Sequence, residues 1–206
     1  MSEFTYELTD LKEKYETYEW DNLWIDHARD ISDKRVLYIG DSISCGTRHI
    51  ATKRTNEKIY FDGFGTSKGI DNPYFMPSLK LFADQEARRD AVIFNNGLHG
   101  WHLEDETEYS HYYEEMIKFL LEEFKNTPIA VVLTTYIVNE ERHKRVVCRN
   151  KAAKEIAEKY NLPIIDLYSV SVDNANLLTE DGVHFAEKGY ELFADEIIRV
   201  LNEIIK

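Results

Sequence analysis

Apolar runs of four to six residues recur along the chain, and each is followed by a longer stretch with apolar positions three or four apart. The runs read as strands: Arg35–Ile39, Lys58–Phe64, Ala91–Asn95, Pro128–Thr134 and Leu162–Leu167. The intervening stretches read as helices over Ser44–Ala51, Pro73–Ala87, Glu108–Lys125, Val147–Tyr160 and Ala186–Ile205. In the third of these, Tyr112, Met116, Phe119, Leu120 and Phe124 share one face. Strands that are apolar on both faces, alternating with amphipathic helices, predict an α/β fold with helices on both sides of a parallel sheet. The simplest arrangement is a three-layer α/β/α domain with five parallel strands in flavodoxin-like order, covering residues 34–206. Residues 1–33 stand apart as a charged, aromatic-rich lead-in. There Leu8, Leu11, Tyr15, Tyr18 and Leu23 recur near helical spacing, predicting one or two helices packed on the outside, with Trp20 and Trp24 on a shared face.

Open α/β sheets bind ligands at the carboxyl edge of the strands, so the chemistry is sought in the segments that follow each strand. After the first strand comes Gly40-Asp41-Ser42-Ile43-Ser44, a serine where strand turns into helix. The N–H groups of such a helix start favour a developing anion, which makes Ser42 a candidate nucleophile. After the third strand comes Asn95-Asn96-Gly97-Leu98-His99-Gly100-Trp101-His102. Just before the last helix lies Asp181-Gly182-Val183-His184. A hydrolytic serine needs an imidazole to take its proton and a group that fixes the imidazole's tautomer. An Asp three residues before a His, across a glycine-containing turn, can supply both.

Gly40-Asp41-Ser42 near the start and Asp181-x-x-His184 before the closing helix, in that order, resemble the first and last blocks of the SGNH/GDSL hydrolase family. The resemblance spans residues 34–206. The G-x-S-x-G elbow of α/β-hydrolases is absent, because Ser44 stands at the second glycine position. The resemblance implies ester hydrolysis through an acyl-enzyme, with Ser42 as nucleophile, His184 as base and then acid, and Asp181 as its orienter. It also implies an oxyanion hole built from the Ser42 N–H, a backbone glycine N–H and a third-block Asn. Gly65 is the best match to the glycine, with Gly63 and Gly69 as rivals. The third block departs from the pattern: in Gly97-Leu98-His99-Gly100, His99 stands where the family has Asn. An imidazole N–H can donate in place of an amide, and the sequence resembles a subset of the family with a Gly-Leu-His block. Asn95 and Asn96 are the alternatives. Trp101 is a candidate for the substrate pocket. The expected activity is hydrolysis of a small acyl ester, with deacetylation of a carbohydrate first and lysophospholipase or thioesterase activity second. The rival of a different class is a ligand-binding protein that keeps the fold without catalysis. No metal or organic cofactor is called for.

Composition narrows the partners. The chain of 206 residues carries 25 basic and 38 acidic side chains, a net charge of −13. That balance opposes nucleic acid and gives no support for anionic membrane surfaces, so the expected partner is a small-molecule ester. No apolar run approaches the ~18–20 residues of a membrane span, and the acidic start Met1-Ser2-Glu3 is unlike a signal peptide, so a cytoplasmic location is expected. The two cysteines, Cys45 and Cys148, read as free thiols. Arg142, His143, Lys144, Arg145 and Arg149 form a basic stretch whose plain reading is a solvated helix face, with steering of an anionic substrate as the alternative.

Overall fold

A computed structural model describes residues 15–85 and 88–205. Six strands form one sheet: β1 Asp21–Trp24, β2 Lys34–Gly40, β3 Ile59–Thr66, β4 Ala91–Phe94, β5 Ile129–Val132 and β6 Ile164–Ile165. Their order is β1-β3-β2-β4-β5-β6, and every pairing is parallel except that of β1 with β3. Without β1, the five parallel strands run in the predicted flavodoxin-like order. The order reverses beside β2, and that switch point places the crevice at the end of β2, where Ser42 lies.

Side chains on successive strand residues face opposite sides of a sheet. In β2, Leu37 and Ile39 enter one apolar layer, while Val36 and Tyr38 enter the other. Helices α2 (Phe75–Ala83), α3 (Glu106–Glu123) and much of α4 (Glu140–Lys159) cover the first face through Phe75, Met116 and Ile156. Helices α1 (Ser42–Arg54), α5 (Leu167–Asp173) and α6 (Glu187–Ile204) cover the second through Ile43, Leu167 and Phe193. None of the described helices is long and apolar enough to cross a membrane.

The lead-in departs from expectation. Leu8 and Leu11 lie outside the described residues. From Tyr15 to Asp33 the backbone forms turns and β1, not the helices that the spacing of Tyr15, Tyr18 and Leu23 predicts. Trp20 and Trp24 therefore share no helix face. A buried ion pair explains the difference. Arg35 of β2 grips Asp62 of β3 at 2.8 Å, and its other terminal nitrogen donates to the carbonyls of Asp26, His27 and Asp30. The lead-in is thereby folded back along β3, whose edge pairs with β1. Asp62 is fully buried, and its desolvation pushes the carboxyl up, while the hydrogen bond from Arg35 opposes that.

Candidate active site

Ser42 is the first residue of α1. Asp41 caps the helix by accepting the Ile43 N–H through Oδ1 at 2.9 Å. The Ser42 N–H thus belongs to the first turn of a helix, which has no intrahelical acceptors for its donors. Asp41 is buried, and desolvation raises its carboxyl, opposed by the nearby His99 and His184.

The far end of the chain reaches Ser42 through a tight turn. The bridge Leu178–Phe185 closes it, the Thr179 N–H donates to the His184 carbonyl at 2.8 Å, and Gly182 takes the left-handed conformation at φ +70°. Within that turn Asp181 accepts from the N–H groups of Val183 and His184 and from the Thr179 hydroxyl, each at 2.9 Å. Those backbone donors, followed by the imidazole, hold its carboxyl far below the usual range. Its second oxygen lies 2.7 Å from His184 Nδ1, and His184 Nε2 lies 2.8 Å from Ser42 Oγ. The three side chains form a continuous hydrogen-bonded line of the kind that activates a serine.

A cavity of about 220 Å³ opens at Ser42 and His184, lined by His99 and Trp101 as well as Leu98, Ile137, Arg142 and Val183. The Gly97–Gly100 loop that brings His99 here follows β4. Arg149 of α4 holds it from below, donating to the carbonyls of Gly97 (3.1 Å), His99 (2.7 Å) and Gly100 (2.9 Å). Burial lowers the Arg149 guanidinium from its ordinary value. Trp101 sits among Arg142, Arg145 and Arg149, whose guanidinium carbons lie 5.1, 5.3 and 4.7 Å from its ring centre. The solvated-face reading of the basic stretch fits Lys144, whereas Arg142, though exposed, lines the cavity. It fails for Arg149, which is 1% exposed, and for Arg145, which pairs with Glu106 and two loop carbonyls.

The other oxyanion candidates fall in different places. Gly65 lies at the end of β3 between Asn22 and Gly40, two residues ahead of Ser42 across the ladder. Gly63 leaves room for Arg48, whose guanidinium a Cβ there would meet at 2.0 Å, and Gly69 abuts Gly100. The side-chain amides of Asn95 and Asn96 have other partners. Asn95 Nδ2 donates to the Val132 carbonyl (2.8 Å) and the Thr134 hydroxyl (3.0 Å), and Asn96 Nδ2 to the Lys68 carbonyl (3.0 Å). Both amides are thus engaged by acceptors other than the serine in this structure. Cys45 packs against Gly65, and burial pushes its thiol up, the opposite of nucleophile activation.

Glu16 was not foreseen. This lead-in carboxylate lines the cavity, accepts the Gly100 N–H at 3.0 Å and lies 3.6 Å from His99 Nδ1. Among the described residues, no group of three or more His, Cys, Asp or Glu is placed to hold a metal ion.

No family model and no curated protein sequence matches the chain. Solved structures do. A lipase/acylhydrolase from Enterococcus faecalis superposes with a TM-score of 0.68 at 20% identity, over 84% of this chain and 97% of that one. A GDSL-like lipase from Bacteroides thetaiotaomicron superposes with a TM-score of 0.65 at 15% identity, over 82% of this chain and 88% of that one. The chain has the SGNH/GDSL hydrolase fold. An acetyl xylan esterase shares that fold with a TM-score of 0.61 at 19% identity, over 80% of this chain and 98% of that one. The catalytic domain of a peptidoglycan O-acetyltransferase from Streptococcus pneumoniae shares it at 0.66 and 18%, over 84% and 94%.

Proposed function

We propose that the protein is a serine ester hydrolase that removes small acyl groups, acetyl first, from a carbohydrate or similar alcohol. The observation that carries this reading is the line Asp181–His184–Ser42, with contacts of 2.7 and 2.8 Å. In the first half-reaction Ser42 Oγ attacks the ester carbonyl while His184 Nε2 takes its proton. The tetrahedral oxyanion is met by N–H donors of Ser42 and Gly65 and by the His99 ring. Collapse expels the alcohol, which takes the proton from His184, and leaves acetyl on Ser42. Water then attacks that ester with His184 again as base, releasing acetate and restoring the serine. Asp181 keeps Nδ1–H directed at itself throughout and stabilises the imidazolium formed in each half.

Two features support a short acyl group. The cavity holds only about 220 Å³, and Leu98, Ile137 and Val183 give it a small apolar wall. The acetyl xylan esterase and the peptidoglycan O-acetyltransferase among the fold's relatives point the same way for acetyl on sugar. The test is a series of p-nitrophenyl esters from acetate to octanoate beside a panel of acetylated sugars. The reading expects kcat/KM to fall as the acyl chain lengthens beyond about four carbons. Undiminished turnover of octanoyl ester, with acetylated sugars inert, would favour a thioesterase or lysophospholipase instead.

A further inference from the structure

We propose that Glu16 is a positioning residue for His99, so that the segment Glu16–Trp20, outside the alternating α/β core, completes the active site. This rests on the reading of His99 as an oxyanion donor.

The carboxylate meets the site loop through one oxygen. Glu16 Oε1 accepts the Gly100 N–H at 3.0 Å and lies 3.6 Å from His99 Nδ1, so one oxygen serves both neighbours. The Glu16 N–H donates to the Glu19 carboxylate at 2.9 Å, which shapes the turn. The segment is tied to the residue just after β3 by reciprocal bonds: Trp20 N–H to the Ser67 hydroxyl at 2.8 Å, and Ser67 N–H to the Trp20 carbonyl at 3.1 Å. The Trp20 ring meets the His99 ring edge-on at 6.1 Å. The imidazole is thus held by an indole on one side and a carboxylate at Nδ1, while Arg149 holds its own carbonyl.

The chemistry follows from the proton count. With Nδ1–H facing Glu16, Nε2 is the nitrogen left for the cavity. Nε2 donates when the ring carries both protons, and a carboxylate placed at Nδ1 is the charge complement of that form. The titratable groups near the ring are Glu16 from the lead-in, buried Asp41 at the head of α1, His184 from the last turn and His102 on the same loop. Arg142 lines the cavity from α4. Of the two carboxylates, only Glu16 lies against Nδ1. The Glu16 carboxyl is held below its usual range, first by the adjacent His99 imidazole, with the Gly100 N–H adding to it. The asparagine expected at the third block donates through a neutral amide. An imidazole in that place needs a partner, and Glu16 supplies it.

The test compares wild type, Glu16→Gln and Glu16→Asp in pH–rate profiles with p-nitrophenyl acetate. Glu16→Gln keeps size and an acceptor oxygen but removes the charge. Its kcat falls roughly tenfold, a fraction of the ~10²–10³ that loss of a whole donor costs, while KM stays within about twofold. Glu16→Asp restores part of the loss. A wild-type profile for Glu16→Gln, or equal losses in the two variants, overturns the proposal. Nitrogen NMR of labelled histidine decides the contact without turnover, with the His99 signals identified by their absence in His99→Asn. Those ring signals shift in Glu16→Gln if the proposal holds, and stay in place if it does not. Failure of wild type to show Ser42-dependent hydrolysis would instead count against the hydrolase reading, and the NMR comparison still stands.

Discussion

His184 Nε2 lies 2.8 Å from Ser42 Oγ although 142 residues separate them in the chain. The contact depends on two local structures meeting at one sheet edge: a helix that starts at Ser42, and a turn that carries Asp181 and His184 together. Neither alone makes a nucleophile. Their meeting is set by the packing of α1 against α6, the helix that follows the turn.

Arg149 is the structural pin of the site loop, and its removal should unfold more than the loop. Arg149→Met leaves the carbonyls of Gly97, His99 and Gly100 buried without that donor. Leaving a buried acceptor unsatisfied typically costs about 1–3 kcal/mol, and several lose their donor here, so the urea midpoint should drop sharply. Lys144→Met, on the exposed face of the same helix, should stay within about 0.5 kcal/mol of wild type. Equal midpoints for the two variants would show that the buried guanidinium is dispensable.

Gly97 is fixed by close approach. A Cβ there would meet the Thr134 hydroxyl at 1.9 Å and Thr134 Cβ at 2.8 Å. Gly97→Ala should therefore cost about 1–3 kcal/mol by overpacking and displace the loop that carries His99. The double variant Gly97→Ala with Thr134→Ala removes the hydroxyl and the methyl that crowd the new Cβ and should recover part of the loss in melting temperature relative to the sum of the single variants. No recovery would place the strain elsewhere.

Much of this was legible in the residues themselves, and the parts that were not share a cause. The five parallel strands stand out because burial on both faces demands uninterrupted apolar runs such as Val36–Ile39 and Ile129–Val132. β1 could not be read that way: Asp-Asn-Leu-Trp is exposed at all four positions and becomes a strand only because the edge of β3 accepts it. The start of α4 was missed because Glu140–Arg145 is charged, and Asn139 caps it by accepting the Arg142 N–H. Asp181 and His184 were legible because their contact is made within one turn. Glu16 was not, since it meets Gly100 across 84 residues from a segment without apolar periodicity. The amides of Asn95 and Asn96 show the same limit, because only tertiary packing decides which carbonyl each one finds.

Acid should destabilise the fold through specific carboxylates. Lys159 and then Tyr160 hold Glu114 down to about 2, and the Ser32 N–H and hydroxyl with Tyr60 hold Asp30 down to about 2. Asp181 is lowered as well. A carboxyl lower in the folded state than the ~4 of an unfolded chain adds stability above that pH, and loses it as pH falls toward the folded value. The melting temperature should thus decline between about pH 4 and pH 2. Glu114→Gln should decline less steeply over that window. An identical slope in the variant would remove Glu114 from the account.

The most direct measurement is the hydrolysis of p-nitrophenyl acetate by wild type and Ser42→Ala, with melting temperatures confirming that both are folded. Wild type should turn over the ester, and Ser42→Ala should lose at least ~10³-fold in kcat, given that a triad serine acts as part of a unit whose loss removes most of the catalysis. A folded Ser42→Ala protein that hydrolyses the ester at the wild-type rate would contradict the central claim.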